Sequence, residues 1–115
     1  MHRIIRQTRN KYGNISKVYN NRLYASKKEA RYAQELDLRK KARDIKSWRP
    51  QIKIDLQSNG HHICNYYIDF EITHNDDSIE FVEVKGFETE VWRLKWKIFE
   101  SIYGHNPNYT LTVVR

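Results

Sequence analysis

The sequence contains one cysteine, two prolines and four glycines among its 115 residues. The lone cysteine, Cys64, excludes an internal disulfide, which fits a reducing compartment. No apolar stretch approaches the roughly 20 residues that cross a membrane, and the charged start of the chain is unlike a secretory signal. We therefore expect one soluble, cytoplasmic domain without a membrane partner. The chain is long enough to bury a hydrophobic core without disulfides or structural metal ions.

Acidic residues are scarce in the first part of the chain. Residues 1–49 carry fifteen lysines and arginines against four acids, whereas residues 50–115 carry six against ten, and the formal charge of the whole chain is +7. An electropositive half beside a group of carboxylates predicts contact with the phosphates of a nucleic acid. The alternative is a basic protein that binds no nucleic acid.

The basic residues divide between an arm and a folded domain. Residues 1–24 mix arginines and lysines with tyrosines and turn-forming pairs, which predicts a basic N-terminal arm or a short hairpin ahead of a domain at 25–115. Phosphate contacts in the arm are assigned to Arg3, Arg6, Arg9, Lys11 and Lys17. In the domain they are assigned to Lys27, Lys28, Arg31, Arg93 and Lys95. The last two could equally belong to a solvated helix face.

Hydrophobic periodicity predicts the order helix, three strands, helix, strand. The helices are expected at 26–43 and 89–103, with Ser26 and Glu29 as a capping box. The strands are expected at 52–56, after Pro50, and at 63–73, 79–85 and 109–114, with a turn at 57–60 and a hairpin loop at 74–78. This is an α/β fold with a mixed sheet flanked by helices, in which the first three strands can pair antiparallel.

Charged residues interrupt two of these strands at matching positions. If Thr73 pairs with Ile79 across the five-residue loop, constant register places Asp69 opposite Glu83, on one face of the sheet. Lys85 shares that face because strand side chains alternate. Two carboxylates this close repel each other, and a hard cation such as Mg²⁺ or Mn²⁺ removes the conflict. Lys85 could then help to position a water or offset charge in a transition state.

The segments Ile68-Asp69 and Glu83-Val84-Lys85, placed on successive strands of this order, resemble the PD-(D/E)xK nuclease superfamily. Ile68 stands where the family name has proline. The wider succession from Glu29 through Pro50-Gln51, Asp69 and Glu83-x-Lys85 to Arg93-x-Lys95 is similar to small phage-encoded endonucleases of the Holliday-junction-resolvase type. The resemblance extends over about residues 24–115.

The resemblance implies a restriction-endonuclease-like core and a phage-derived, metal-dependent endonuclease. Its substrate would be duplex or branched DNA, and a homodimer in the host cell cytoplasm would supply two sites for two strands. It also brings Glu29 into the site as a third metal ligand beside Asp69 and Glu83, with Lys85 as the fourth catalytic residue. Gln51 could orient a water or a phosphate, or could be an ordinary amide at a strand edge.

Other interpretations of the same residues remain open. Asp69, Glu83 and Lys85 could form a structural salt bridge, Glu71 could replace Asp69 as a ligand, and Glu29 could act only as a helix cap. The protein could then be a non-catalytic DNA-binding module of the same fold, or a nuclease subunit that requires a partner. RNA is the alternative substrate for the same chemistry.

Overall fold

The computed structural model describes residues 17–20 and 22–115. The elements are β1 (Lys17–Tyr19), β2 (Arg22–Tyr24), α1 (Lys27–Lys41), β3 (Ser47–Ser58), β4 (His61–Thr73), β5 (Ile79–Val84), α2 (Glu90–Tyr103) and β6 (Tyr109–Val114). The predicted α/β fold and the order helix, three strands, helix, strand are confirmed. Four of the residues assigned to the arm, Arg3, Arg6, Arg9 and Lys11, lie outside the described residues.

The main sheet is mixed and has the strand order β3-β4-β5-β6. β3, β4 and β5 pair antiparallel through short connections, whereas β6 pairs parallel with β5 after the chain crosses over through α2. β1 and β2 form a separate antiparallel hairpin that packs against α1. No helix in the described part of the chain is long and apolar enough to cross a membrane.

The β3–β4 hairpin is longer than the sequence pattern predicts. β3 begins at Ser47, before Pro50, because it is an edge strand in which proline can be tolerated although it has no backbone donor. The turn is reduced from the predicted 57–60 to Asn59 and Gly60, whose positive φ angles of 51° and 79° suit a tight two-residue hairpin. The predicted boundaries of both strands were therefore wrong by several residues.

Two hydrophobic cores lie on the sheet. The α1 core contains residues of the first helix, including Ala33 and Leu36, packed against Phe70, Ile72 and Val82. The α2 core contains Trp92 and Phe99 of the second helix packed against strand residues. The strand residues of that core are Ile54, Leu56, Tyr66, Ile68 and Phe81.

Ser26 caps the start of α1, where its side-chain oxygen accepts a hydrogen bond from the Glu29 backbone amide at 3.1 Å.

Strands β3 and β4 pass from one core to the other at the same place. Tyr66 and Ile68 contact the α2 core, but Phe70 and Ile72, at positions of the same parity, belong to the α1 core. Regular alternation would keep all four on one face. The change falls at Asp69 and at the facing Gln51, which has a φ of 53° and is missing from the strand register. The sheet is therefore irregular where the charged residues lie.

Candidate active site

The β4–β5 hairpin has the predicted register. Thr73 pairs with Ile79, and the ladder runs to Phe70 opposite Val82. One residue further, Asp69 leaves the ladder, and its Oδ2 accepts a hydrogen bond from the Val84 backbone amide at 2.8 Å. The Asp69 side chain thus takes the place of a backbone acceptor. This fixes its carboxyl group at the end of the strand pair, beside Glu83.

The Asp69 and Glu83 carboxyl groups lie near each other, so that the charge of Asp69 acts on Glu83. Glu83 is 2% exposed, and no donor satisfies its Oε1 among the described residues. Burial, followed by the charge of Asp69, raises the pKa of Glu83 to about 8, and burial also raises the pKa of Asp69. The pair is therefore costly to ionise without a positive charge nearby.

Glu29 reaches the same place from the first turn of α1. Its backbone amide completes one half of the predicted capping box, but its side chain is 3% exposed and points to the sheet, where Oε1 accepts a hydrogen bond from Gln51 Nε2 at 2.9 Å. The same amide nitrogen lies 3.5 Å from Asp69 Oδ1. Burial and then the charge of Asp69 raise the pKa of Glu29 to about 8. Gln51 therefore links two of the three acids.

Lys85 supplies the nearest positive charge. Its Nζ lies 3.7 Å from Glu83 Oε2, which is within an ion pair but longer than a good hydrogen bond. The ammonium group also lies 4.7 Å from the centre of the Trp92 ring. The Lys85 carbonyl accepts a hydrogen bond from Lys28 Nζ at 3.2 Å, which ties α1 to the end of β5. Glu83 and Lys85 thus form an ion pair beside Asp69, which reaches them from one residue beyond the paired ladder.

A pocket of about 470 Å³ opens beside these groups. Lys27, Lys28 and Arg31 of α1 line it together with Glu29, and Asp69 and Lys85 line it from the sheet. Three cationic side chains of the first helix thus share one opening with the buried acids. Such a pocket has the charges to receive a phosphate group next to the carboxylates.

Three other described residues that were assigned to nucleic-acid contact are Lys17, Arg93 and Lys95. Arg93 pairs with Glu88 at 3.6 Å, and Lys95 Nζ donates a hydrogen bond to the Asn65 carbonyl at 3.1 Å, so both have partners within the chain. Lys17 is half-buried in β1. None of the three lines the pocket described above.

Glu71, the alternative ligand, has a partner away from the site. Its Oε1 accepts a hydrogen bond from Arg49 Nε at 2.9 Å and forms an ion pair with the same guanidinium group. Its register partner is Phe81, two residues before Glu83. The arrangement therefore favours Asp69 over Glu71 as the acid that faces Glu83.

Two aromatic residues that the sequence pattern did not assign to the site lie beside it. Tyr66 is 4% exposed, and its hydroxyl accepts a hydrogen bond from Trp92 Nε1 at 3.0 Å. Burial, followed by the charge of Glu83, raises the pKa of Tyr66. Tyr66 and Asp69 are three residues apart, which would place them on opposite faces of a regular strand. Only the irregularity at Asp69 brings them together, and no sequence signal marks it.

The donor set can be tested against a divalent cation. Within 17–20 and 22–115, no group of three or more His, Cys, Asp or Glu side chains is arranged to hold a metal ion. Mg²⁺, however, is commonly bound through one or two carboxylates together with waters and substrate phosphates. Asp69 and Glu83 offer such a pair, and Glu83 Oε1 is a buried acceptor without a donor in that part of the chain. The residues fit a cation that keeps part of its water shell.

Fold and site together define an α/β domain in which a half-buried aspartate, a buried glutamate and a lysine lie beside a pocket lined by basic residues. A family model described as "Protein of unknown function (DUF1064)" matches residues 9–114, so the chain belongs to this family. A search of curated proteins finds no match.

Proposed function

We propose that the protein is a metal-dependent endonuclease that hydrolyses DNA phosphodiester bonds. One observation carries the proposal: the half-buried Asp69 lies beside the buried Glu83, whose Oε1 lacks a donor among the described residues, next to Lys85 and a pocket lined by basic side chains. A structural salt bridge would not need an orphan oxygen. Resemblance to the PD-(D/E)xK nucleases supports the same chemistry.

Asp69 and Glu83 would hold Mg²⁺ or Mn²⁺, with Glu29 as a third acid whose carboxylate already contacts Gln51. When bound, the cation would neutralise the carboxylates and polarise the phosphate and the attacking water. Gln51 keeps Glu29 and Asp69 at a fixed separation, because one amide nitrogen serves both. Its role in this proposal is thus to arrange the acids.

Lys85 and the basic residues of α1 have two different roles in this proposal, charge compensation and phosphate binding. Lys85 lines the pocket and its ammonium group lies beside Glu83, where it would offset the negative charge that builds up on the phosphate oxygens. Lys27, Lys28 and Arg31 hold the neighbouring phosphates by salt-sensitive contacts. Water adds to phosphorus, the ester bond breaks, and the products are one phosphate end and one hydroxyl end.

The finer parts of the proposal rest on resemblance. Small junction-resolving nucleases act as homodimers on branched DNA, and we extend both properties to this chain together with an origin in a phage. One small domain offers little surface for reading bases, which favours recognition of DNA structure over sequence.

A panel of labelled DNAs tests the activity. Linear duplex, flap, four-way and single-stranded DNAs, with matched RNAs, are incubated with protein and Mg²⁺ or Mn²⁺. We expect metal-dependent cleavage of DNA, most rapid on a branched substrate, and loss of cleavage without loss of DNA binding in Lys85→Ala. Faster cleavage of the matched RNA would reassign the substrate to RNA. Failure to cleave any of these nucleic acids would rule out the proposed endonuclease activity.

A binding module is the second candidate, because the described residues contain no three-ligand metal group and Gln51 and Lys85 already contact the acids. In that case DNA would bind with equal affinity in the presence and absence of Mg²⁺. Asp69→Ala separates the candidates, since it would abolish cleavage by an enzyme and leave a binding module unchanged.

A further inference from the structure

Trp92 lies at the centre of the contacts around the candidate site. It is 8% exposed and belongs to the first turn of α2, where its backbone amide donates to the side chain of the capping residue Thr89 at 3.1 Å. The cap fixes where the helix begins and hence where the indole lies. Only Gly86, Phe87 and Glu88 separate Lys85 from that cap, so β5 and α2 are joined by a short segment.

The two parts of the indole contact different members of the site. The ring face lies under the Lys85 ammonium group, 4.7 Å from its Nζ. The ring N–H donates to the Tyr66 hydroxyl at 3.0 Å. Because that hydroxyl oxygen accepts from Trp92, its own hydrogen is left to point elsewhere. The charge of Glu83 acts on Tyr66 more strongly than that of Asp69, so Glu83 is the acid toward which the hydroxyl can turn.

We propose that Trp92 is a positioning residue for two charged groups of the site, Lys85 and Glu83. Its ring face holds the Lys85 ammonium group, and its ring N–H orients the Tyr66 hydroxyl toward Glu83. The inference rests on the proposed function and adds two residues to it. Groups that hydrogen-bond a ligating carboxylate orient it, and their loss typically costs about 10–100-fold in metal affinity or activity. A cation over an indole face is favoured over one above a smaller ring.

An ordinary core tryptophan would not have these contacts. Trp96, one turn further along α2, stacks on Trp92 with ring centres 5.9 Å apart, but within the described residues it makes no hydrogen bond through its ring nitrogen and no contact with a charged group of the site. The two tryptophans therefore form a matched pair. The same substitution at each removes part of an indole, from a buried position at Trp92 and from a half-buried one at Trp96, and only the change at Trp92 breaks the proposed relay to Glu83.

A double-mutant cycle on Mn²⁺ affinity tests the relay without relying on cleavage. Mn²⁺ binding to the full chain is followed by electron paramagnetic resonance in wild type, Trp92→Phe, Tyr66→Phe and the double variant. We expect each single change to weaken binding by about tenfold. We expect the double variant to be no weaker than Tyr66→Phe, because both changes interrupt one chain of hydrogen bonds. Trp96→Phe should bind Mn²⁺ as wild type does.

Cleavage kinetics test the contact with Lys85. Trp92→Leu removes the ring face that Trp92→Phe keeps, and it should lower kcat by a further factor of about ten while KM stays within about twofold. Thermal unfolding identifies variants that do not fold, and Trp96→Leu controls for loss of packing. A variant that loses structure is replaced by Tyr66→Phe, which removes a single oxygen.

The outcomes separate this inference from the proposed function. If wild type binds Mn²⁺ but cleaves no nucleic acid, the proposed function fails and the Mn²⁺ cycle still decides the role of Trp92. Suppose instead that wild type cleaves DNA. The positioning role is then overturned, and the nuclease proposal stands, if Trp92→Phe and Tyr66→Phe bind Mn²⁺ as tightly as Trp96→Phe does. The same conclusion follows if the losses of Mn²⁺ affinity in the two single variants multiply in the double variant.

Discussion

Glu80 and Glu83 are three residues apart on β5, but their carboxylates differ in burial and in hydrogen-bond partners. Both oxygens of Glu80 have partners: His74 Nε2 contacts Oε1 at 2.9 Å, and the Thr112 hydroxyl donates to Oε2 at 2.6 Å. Glu83 is more deeply buried, has Lys85 at 3.7 Å from one oxygen and lacks a donor for the other among the described residues. The same strand therefore satisfies one carboxylate completely and leaves its neighbour incomplete.

The difference extends to the two ends of helix α1. At the end near the 74–78 loop, Asn75 donates to the carbonyl of Arg43, and Lys46 pairs with Asp77, so polar groups close on one another. At the end near Glu83, lysines and an arginine line an open pocket. Because the loop end shows that this fold can satisfy its polar groups, the incomplete site at the other end fits the proposed metal ligand better than it fits poor packing.

The largest effect should come from the two glutamates themselves. Glu83→Gln removes a carboxylate of the proposed site and should reduce metal-dependent DNA cleavage by about a hundredfold or more. Glu80→Gln makes the same chemical change at the loop end and should leave the rate within about threefold. Initial rates on one branched substrate at saturating Mg²⁺ provide the measurement. Equal losses in both variants would mean that Glu83 has no special role.

The same contrast predicts opposite effects on stability. Asp69→Asn removes one of the repelling acids while its side-chain oxygen can still accept from the Val84 amide, so the metal-free protein should gain about 1 kcal/mol. Glu80→Gln puts a donor where His74 or Thr112 needs an acceptor and should lose about 1–2 kcal/mol. Urea unfolding in chelator measures both. A loss of stability in Asp69→Asn would show that the acids are structural.

The pH dependence of stability should follow the raised pKa values. Glu29 and Glu83 have pKa values of about 8 when folded, against an ordinary 4.5. Between these values the folded state binds more protons than the unfolded state, so the metal-free protein should become less stable as pH rises from 5 to 8. Saturating Mg²⁺ should reduce this decline, because it binds the ionised folded form. Thermal unfolding across this range tests the slope, and a flat or rising profile without metal would contradict it.

The smallest effect concerns the two ends of α1. Lys27 lines the pocket, whereas Lys40 is an exposed lysine in the last turn of the same helix. Lys27→Gln should weaken DNA binding a few-fold and reduce the salt dependence of affinity by about one phosphate contact, whereas Lys40→Gln should change neither. Fluorescence anisotropy at several salt concentrations makes the comparison. Equal effects would mean that the DNA follows the whole helix rather than the pocket.

The local parts of the fold could be predicted from the sequence. The capping residue Ser26, the apolar periodicity of the helices and the five-residue loop before Ile79 are short-range signals, and the loop fixed the register that places Asp69 beside Glu83. The meeting of those acids with Lys85 followed from that register and from alternation alone.

The irregular part of the site could not be predicted. Tyr66, Ile68, Phe70 and Ile72 alternate without interruption in the sequence, which indicates one buried face, yet the structure divides them between two cores. The positive φ of Gln51 that accompanies this change is unusual outside glycine and depends on tertiary contacts. Trp92 consequently looked like a core residue only, and the positions of Tyr66 and Trp92 beside the site were missed.

Direct titration with Mn²⁺ tests the central claim, that the incomplete carboxylate cluster binds a hard cation. Electron paramagnetic resonance counts bound Mn²⁺ in wild type, Glu83→Gln and Glu80→Gln at pH 8, which matches the raised pKa values of Glu29 and Glu83, so protons compete only weakly with the metal. We expect wild type and Glu80→Gln to bind the ion with equal affinity and Glu83→Gln to lose at least about tenfold. Absence of binding in wild type, or equal binding in all three proteins, would contradict the account.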